Sequence, residues 1–140
     1  MKLWQKNTES LKEVETFTVG KDRELDLFLA PFDVLGSLAH IKMLNSVGLI
    51  TDEELNELQK ALKDIYKDIT KGNFALEDGV EDIHSQVEFI LTKKLGDAGK
   101  KIHSARSRND QVILDLKLFL RNEIEELVHI VNECFSLLIS

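Results

Sequence analysis

The chain has 140 residues, of which 43% are hydrophobic and 31% charged, and this composition is ordinary for a globular domain with a core of its own. Its formal net charge of −7 argues against nucleic acid as the main partner, because phosphate binding requires a basic surface. The first ten residues are polar, and no apolar run approaches the roughly 18–20 residues of a membrane span, so we expect neither a secretory signal nor a membrane partner.

The amino-terminal third of the chain contains one clear helix. Residues 1–31, which include Phe17 and Val19, show no clean period, and we predict loop or extended structure there with a short helix at residues 22–29. A helix is then predicted from about Asp33, as N-cap after Pro31, to a glycine C-cap at Gly48. Its apolar stripe is formed by Leu35, Leu38, Ile41 and Leu44.

Two further helices follow. Thr51 and Glu54 form a capping-box pattern, and the helix they begin is predicted to end at Gly72. Its buried stripe comprises Leu55, Leu58, Leu62, Ile65 and Ile69. The next helix is predicted over residues 81–94, with Ile83, Val87, Ile90 and Leu91 facing inward.

A loop and a long helix complete the pattern. The apolar period is lost over residues 96–110 and returns at Gln111, after which it continues for about thirty residues. One stripe comprises Ile113, Leu116, Leu120, Ile124, Leu127, Val131, Cys134 and Leu138, and a second comprises Val112, Phe119, Val128 and Phe135. Two stripes require partners on more than one side. The last turn is apolar and has no stop signal, so we expect the chain to be part of a longer protein.

The predicted fold is therefore all-α. We expect an amino-terminal helical domain over residues 1–110, with an active-site loop at its end, and the first helix of a long-helix bundle over residues 111–140. The single cysteine, Cys134, cannot form an internal disulfide, which favours the reducing cytoplasm.

Chemistry is most strongly indicated in the loop, which is basic in an acidic protein. It contains Lys100, Lys101, Arg106 and Arg108 against Asp97 and Asp110. An arginine binds a carboxylate through a planar two-point fork, and a helix N-terminus, predicted at Asn109 or Asp110, also favours an anion. The alternative is that Asp110 only caps the helix and that the two arginines are solvated or paired with surface acids.

His84 is the second candidate. It lies beside Asp82, with Glu81 and Glu88 nearby, and a histidine held by a carboxylate is either a proton carrier, an orienting group or a structural residue. We expect no metal, because no ligand spacing joins His40, His84, His103 and His129. We also expect no cofactor, since neither a glycine-rich phosphate loop nor a GxSxG elbow occurs.

The residues HSARSRNDQV at positions 103–112 closely resemble the first conserved block of argininosuccinate lyases, H-T/S-G/A-R-S-R-N-D-Q-V. Support comes from EDIH at residues 81–84, LGDAGKK at 95–101 and DVLGS at 33–37, which are similar to further segments of that family. The resemblance covers nearly all of the chain from Phe17 onward.

The resemblance implies the fumarase–aspartase superfamily, with all-α subunits, homotetramers and active sites that gather three conserved blocks from three subunits. It implies the reversible β-elimination of argininosuccinate to arginine and fumarate, in which cationic and hydrogen-bonding groups stabilise the carbanion charge on a carboxylate. By position, Ser107, Arg108 and Asn109 would contact the carboxylates of the substrate, and His84 would support the site.

The other two blocks of such a site, T-x-x-Q-P-A-Q-P and G-S-S-x-M-P-x-K-x-N, do not occur in these residues, so this chain alone carries no catalytic acid or base. The family has a substrate-contacting serine four residues before an aspartate, where this chain places Asp22 before Asp26. The alternative function is a non-catalytic oligomeric protein of the same fold, as among lens crystallins. Lyases acting on adenylosuccinate, aspartate or malate fit less well, because their first blocks lack the S-R-N-D-Q run.

Overall fold

The computed structural model describes Phe17, residues 20–77 and residues 79–139, and within this part of the chain every regular element is a helix. The helices are α1 (Asp22–Asp26), α2 (Ala30–Ser46), α3 (Asp52–Thr70), α4 (Ile83–Leu95), α5 (Asp97–Lys100), a 3₁₀ turn (Lys101–His103) and α6 (Arg108–Ile139). The all-α prediction is confirmed. Val19 and Ser140, which belong to predicted elements, lie outside the described residues.

Helix α2 begins earlier than the sequence predicts, and Asp33 is not its N-cap. The helix starts at Ala30 with Pro31 in its first turn, where a proline fits because the first amides of a helix have no intrahelical partner. Asp33 therefore lies inside the helix and is 1% exposed. Leu35 is exposed, and Val34 takes its place on the buried stripe with Ile41 and Leu44. The end is as predicted, since Gly48 has φ +77° and stops the helix.

Helix α3 follows its sequence signals throughout. The Thr51 side chain accepts a 3.2 Å hydrogen bond from the Glu54 amide, and Glu54 Oε2 accepts a 3.0 Å bond from the Thr51 amide. Leu58, Leu62 and Ile65 are buried, whereas Leu55 and Ile69 are partly buried against the same core. The capping box and the single apolar stripe were enough to predict this helix because both are local.

The predicted loop at residues 96–110 is shorter in the structure. Helix α5 and the 3₁₀ turn occupy residues 97–103, and α6 begins at Arg108 rather than at Gln111. A single helical turn is too short to show a 3.6-residue period, so the sequence pattern could not reveal it. Within residues 96–110, Gly96 and residues 104–107 are the positions without helical structure.

The core lies between α2, α3 and α4. Its fully buried members include Val34, Ile41, Leu44, Leu58, Leu62, Ile65, Val87 and Leu91, and Ile102 of the 3₁₀ turn adds to it. Among the described residues, the buried positions of helix α6 lie in its first turns, where it packs on this body. Gln111 and Asp115 are its buried residues, and the Phe119 ring meets the Phe32 ring edge-on at 5.9 Å.

Beyond Phe119 the long helix lies bare. Every residue from 120 to 139 is exposed, although both predicted apolar stripes continue through this part of α6, which we call the bare segment. The sequence prediction that these stripes need partners outside the chain's own shorter helices fits this exposure. None of the described helices combines the length and the apolar character that a membrane span needs.

Candidate active site

The HSARSR turn at residues 103–108 is anchored to α2 on its inner side, and the residues just before it are anchored to α3. His40 Nε2 lies 2.8 Å from the Ser104 carbonyl oxygen, and Arg106 Nη2 donates a 3.0 Å hydrogen bond to Ser37 Oγ. Just before the turn, Lys101 Nζ donates to Glu54 Oε1 at 2.6 Å. Ala105, with φ 59°, is the non-glycine residue of the described chain that has a positive φ. Arg106 follows this left-handed step, and the burial of its guanidinium lowers its pKa.

Ser107 caps α6. Its amide and its hydroxyl donate to Asp110 Oδ2 at 2.7 and 2.8 Å, and its hydroxyl oxygen in turn faces the Asp110 amide at 3.4 Å. These bonds hold the pKa of Asp110 below its usual value. The prediction of an N-cap at Asn109 or Asp110 is therefore wrong. The S-R-N-D spacing is a capping box closed by an aspartate, and its pattern was present in the sequence.

We expect Ser107→Ala to lower the free energy of unfolding by about 0.5–2 kcal/mol, because the α6 amides lose their cap. Asn109→Ala should change it little, since Asn109 is an exposed residue of the first turn. Melting curves on both variants check this. Equal losses from the two substitutions would mean that Ser107 is not the cap.

Arg108 points away from Arg106 and contacts the start of α4. Its Nη1 forms an ion pair with Asp82 Oδ2, and its Nη2 donates to Ser85 Oγ at 3.2 Å. Asp82 also caps α4, since its Oδ1 accepts a 2.8 Å bond from the Ser85 amide. Arg108 is thus paired with an acid, as the alternative interpretation of the sequence predicted. Its partner Asp82, however, is half-buried and does not lie on an open surface.

A cleft of about 310 Å³ lies beside this ion pair. It is lined by Asp22, Asp26, Glu81, Asp82, His84, Arg108 and Val112. Asp26 Oδ2 accepts a 2.7 Å bond from the Ile83 amide, and burial raises the pKa of Asp26. The cleft offers a guanidinium and an imidazole to anionic groups and several carboxylates to cationic ones. It therefore suits a ligand that carries both charges.

His84 contacts buried side chains that the sequence analysis did not place near it. Its Nδ1 donates to Asp33 Oδ1 of α2 at 2.9 Å and lies 3.7 Å from Asp115 Oδ2 of α6. Gln111 Nε2 approaches the same Asp33 oxygen at 3.4 Å. We call Asp33, His84, Gln111 and Asp115 the buried polar cluster, because none is more than 4% exposed.

Burial and charge act against each other in this cluster. Burial lowers the pKa of His84, but its hydrogen bond to Asp33 and the charges of Asp33, Asp82 and Asp115 outweigh that effect and raise the pKa overall. Burial, reinforced by the charge of Asp33, raises the pKa of Asp115 to about 7. The cluster therefore favours the cationic form of the imidazole, beside an Asp115 that is partly protonated near neutral pH.

The same side chains are the ones in the described residues that could approach a metal ion. Asp33, His84 and Asp115 each offer an atom within 4.8 Å of the others. Their polar atoms face one another, however, and Arg106 supplies a cation to both carboxylates. The arrangement is that of a hydrogen-bonded charge cluster.

A family model described as "Lyase" matches residues 2–138 of the chain. The chain belongs to this lyase family. Among its relatives, argininosuccinate lyase of Parabacteroides distasonis is 62% identical over 139 residues, which are 99% of this chain and 31% of the relative. Argininosuccinate lyase of Bacteroides fragilis is 61% identical over 138 residues, with the same coverage.

A more distant relative, argininosuccinate lyase of Thermotoga neapolitana, is 42% identical over 132 residues, 94% of this chain and 33% of the relative. The chain thus spans about a third of the length of the curated relatives it matches. The family resemblance predicted from residues 103–112 is confirmed.

Within this lyase segment, the predicted site residues fall into two groups. His84 and Arg108 line one cleft, together with Asp22, the residue aligned with the serine of the family pattern. Ser107 and Asn109 are exposed on the adjoining first turn of α6, outside the cleft lining. Asp33 and Asp115 were missed, because the contacts that join α2, α4 and α6 are distant in sequence. The available signal was a polar residue within an apolar stripe, at Asp33 beside Val34.

Proposed function

We propose that the complete protein containing this segment is an argininosuccinate lyase. It would split argininosuccinate reversibly into arginine and fumarate by β-elimination, for arginine biosynthesis in the cytoplasm, without a cofactor. The observation that carries the proposal is the cleft in which Arg108 and His84 meet Asp22 and Glu81. The relatives named argininosuccinate lyase, 59–62% identical to this chain, support it.

The charges of the cleft match those of the proposed substrate. Arg108 would exchange Asp82 for a carboxylate of the succinyl part, which its planar fork can hold at two points. Ser107 and Asn109, on the first turn of α6, would supply further donors beside the helix N-terminus. Carboxylates such as Glu81 would face the guanidinium part. A carbanion formed next to the bound carboxylate would be stabilised by the same donors.

We further propose that four copies assemble through the bare segment of α6 and that residues outside this chain complete each site with the acid and the base. The exposed apolar side chains of this segment support the proposal, since burying one of them contributes about 1.5–3 kcal/mol. They include Ile124, Leu127, Val131 and Phe135, which are between 57% and 61% exposed.

The test uses the complete protein and the 140-residue segment side by side. We expect the complete protein to release fumarate from argininosuccinate, followed by its ultraviolet absorbance, and to scatter light as a tetramer. The segment should associate but show no turnover. A tetramer without turnover would favour the crystallin-like alternative, and a complete protein that stays monomeric at micromolar concentration would overturn the proposed assembly.

A further inference from the structure

The His84 ring is fixed by a hydrogen bond at one nitrogen, and its other nitrogen has no partner among the described residues. Asp33 Oδ1 accepts the Nδ1 proton at 2.9 Å, which fixes the ring from the side of α2. The other ring nitrogen, Nε2, is buried and has no hydrogen-bond partner among the described residues. His84 is also one of the residues that line the cleft beside Arg108. A buried donor without a partner is costly, so a ligand group in the cleft is the partner that this geometry calls for.

The charges around the ring come from four directions. Asp33 faces the ring from α2, Asp115 from α6, and Asp26 from the end of α1. Asp82, the residue before α4, faces it from the start of that helix. On the cationic side, Arg106 faces the carboxylates of the cluster and Arg108 lines the same cleft. The carboxylates lie nearest to His84, and they stabilise an imidazolium that carries a proton on both nitrogens.

We propose that Asp33 is a positioning residue of this site, which orients His84 so that its Nε2–H donates to a carboxylate of the bound substrate. This inference rests on the proposed function, and it assigns a role to an aspartate that never touches the substrate. Asp33 acts through His84, in the way that a second hydrogen bond fixes which nitrogen of a histidine is free to act.

A purely structural Asp33–His84 pair would not require either residue to line a cleft. Here His84 belongs to the buried polar cluster through Asp33 and also lines the cleft with Arg108. The proposed donor therefore stands beside a guanidinium, and the two would bind a carboxylate together.

The test measures kcat/KM of the complete enzyme against pH for Asp33→Asn, His84→Gln and the double variant. Because the charged imidazole is the binding form, we expect wild-type kcat/KM to fall as pH rises through the pKa of His84. Asp33→Asn removes the charge that raises this pKa, so the fall should begin at lower pH, and kcat/KM at neutral pH should drop about tenfold. His84→Gln should abolish this limb of the profile. The double variant should be no worse than His84→Gln, since Asp33 acts only through the ring.

Asp64→Asn is the matched control, because it makes the same chemical change at an exposed ion pair with Lys67 on α3 and should leave the profile unchanged. Three results would each overturn the proposal: an unshifted limb in Asp33→Asn with only a lower melting temperature, losses that add in the double variant, or a limb that persists in His84→Gln. A limb that persists in His84→Gln would overturn the proposal even if Asp33→Asn does not fold.

Calorimetric binding of succinate, a plain dicarboxylate, separates this proposal from the proposed function. Wild-type protein without turnover would contradict the lyase assignment, but succinate binding that weakens in Asp33→Asn would still support the role of Asp33. If wild-type protein binds no succinate at any pH, the positioning role is wrong.

Discussion

Arg108→Lys is expected to lower kcat/KM of the complete enzyme about 10–100-fold while the melting temperature stays close to that of the wild type. Lysine keeps the positive charge but loses the planar pair of donors, and each hydrogen bond to a charged group contributes about 1.5–3 kcal/mol. Stability should change little because the amine can still pair with Asp82, which is already held by the Ser85 amide. Steady-state kinetics and a melting curve on the same preparation measure both quantities.

The matched control is Arg121→Lys. Arg121 lies outside both apolar stripes of α6 and pairs with Glu125 one helical turn away, an ion pair that lysine replaces with little change in free energy. Its kcat/KM should match that of the wild type. Near-normal turnover in Arg108→Lys would mean that the residue contacts only Asp82 and Ser85 and that the substrate carboxylate binds elsewhere.

Gly99→Ala is expected to destabilise the fold by about 3 kcal/mol or more, at the upper end of the cost of overpacking. Gly99 of α5 packs directly on the backbone of α4, and a Cβ placed there would lie 2.5 Å from both the Leu91 carbonyl oxygen and the Thr92 nitrogen. Backbone atoms cannot move aside as a side-chain end can, so α5 would have to separate from α4. A sharp fall in melting temperature should result, with loss of activity because the HSARSR turn follows directly.

Gly36→Ala is the matched control, because the same substitution is expected to leave the free energy of unfolding nearly unchanged there. The new Cβ on α2 would meet Leu114 Cδ2 at 2.8 Å, which is the end of a flexible side chain. Alanine also favours a helix over glycine by about 1 kcal/mol, so the two effects nearly cancel. A Gly99→Ala variant that melts with the wild type would show that α5 does not pack closely on α4.

Local signals predicted the helices best where they were complete. Helix α3 has a capping box, one stripe and a terminal glycine, and all three lie within its own span. The start of α2 was misplaced because Asp33 was assigned to the cap that its residue type favours. In the folded chain its carboxylate is occupied by His84, which lies far away in sequence.

The candidate site was predicted in part for the same reason. Residues 103–112 identified the loop and the family, because a run of consecutive residues is visible in one sequence. The pairing of Arg108 with Asp82 and of His84 with Asp33 depends on how α2, α4 and α6 pack, and no spacing in the chain encodes it. The two arginines of the turn have the same residue type, yet Arg106 is partly buried beside the carboxylates of the cluster and Arg108 lines the cleft.

The bare segment of α6 would link the proposed assembly to the survival of the chain. Its residues are exposed over roughly 30 Å, so little packing supports the helix, and a helix's own hydrogen bonds stabilise it only marginally in water. Its amides at residues 120–139 should exchange with deuterium much faster in a dissociated subunit than in an assembled one. Transient opening also admits proteases, and the segment offers them Arg121 together with several large apolar side chains. Subunits left without a partner would thus be degraded from this helix inward, and the cell would keep only the assembled enzyme.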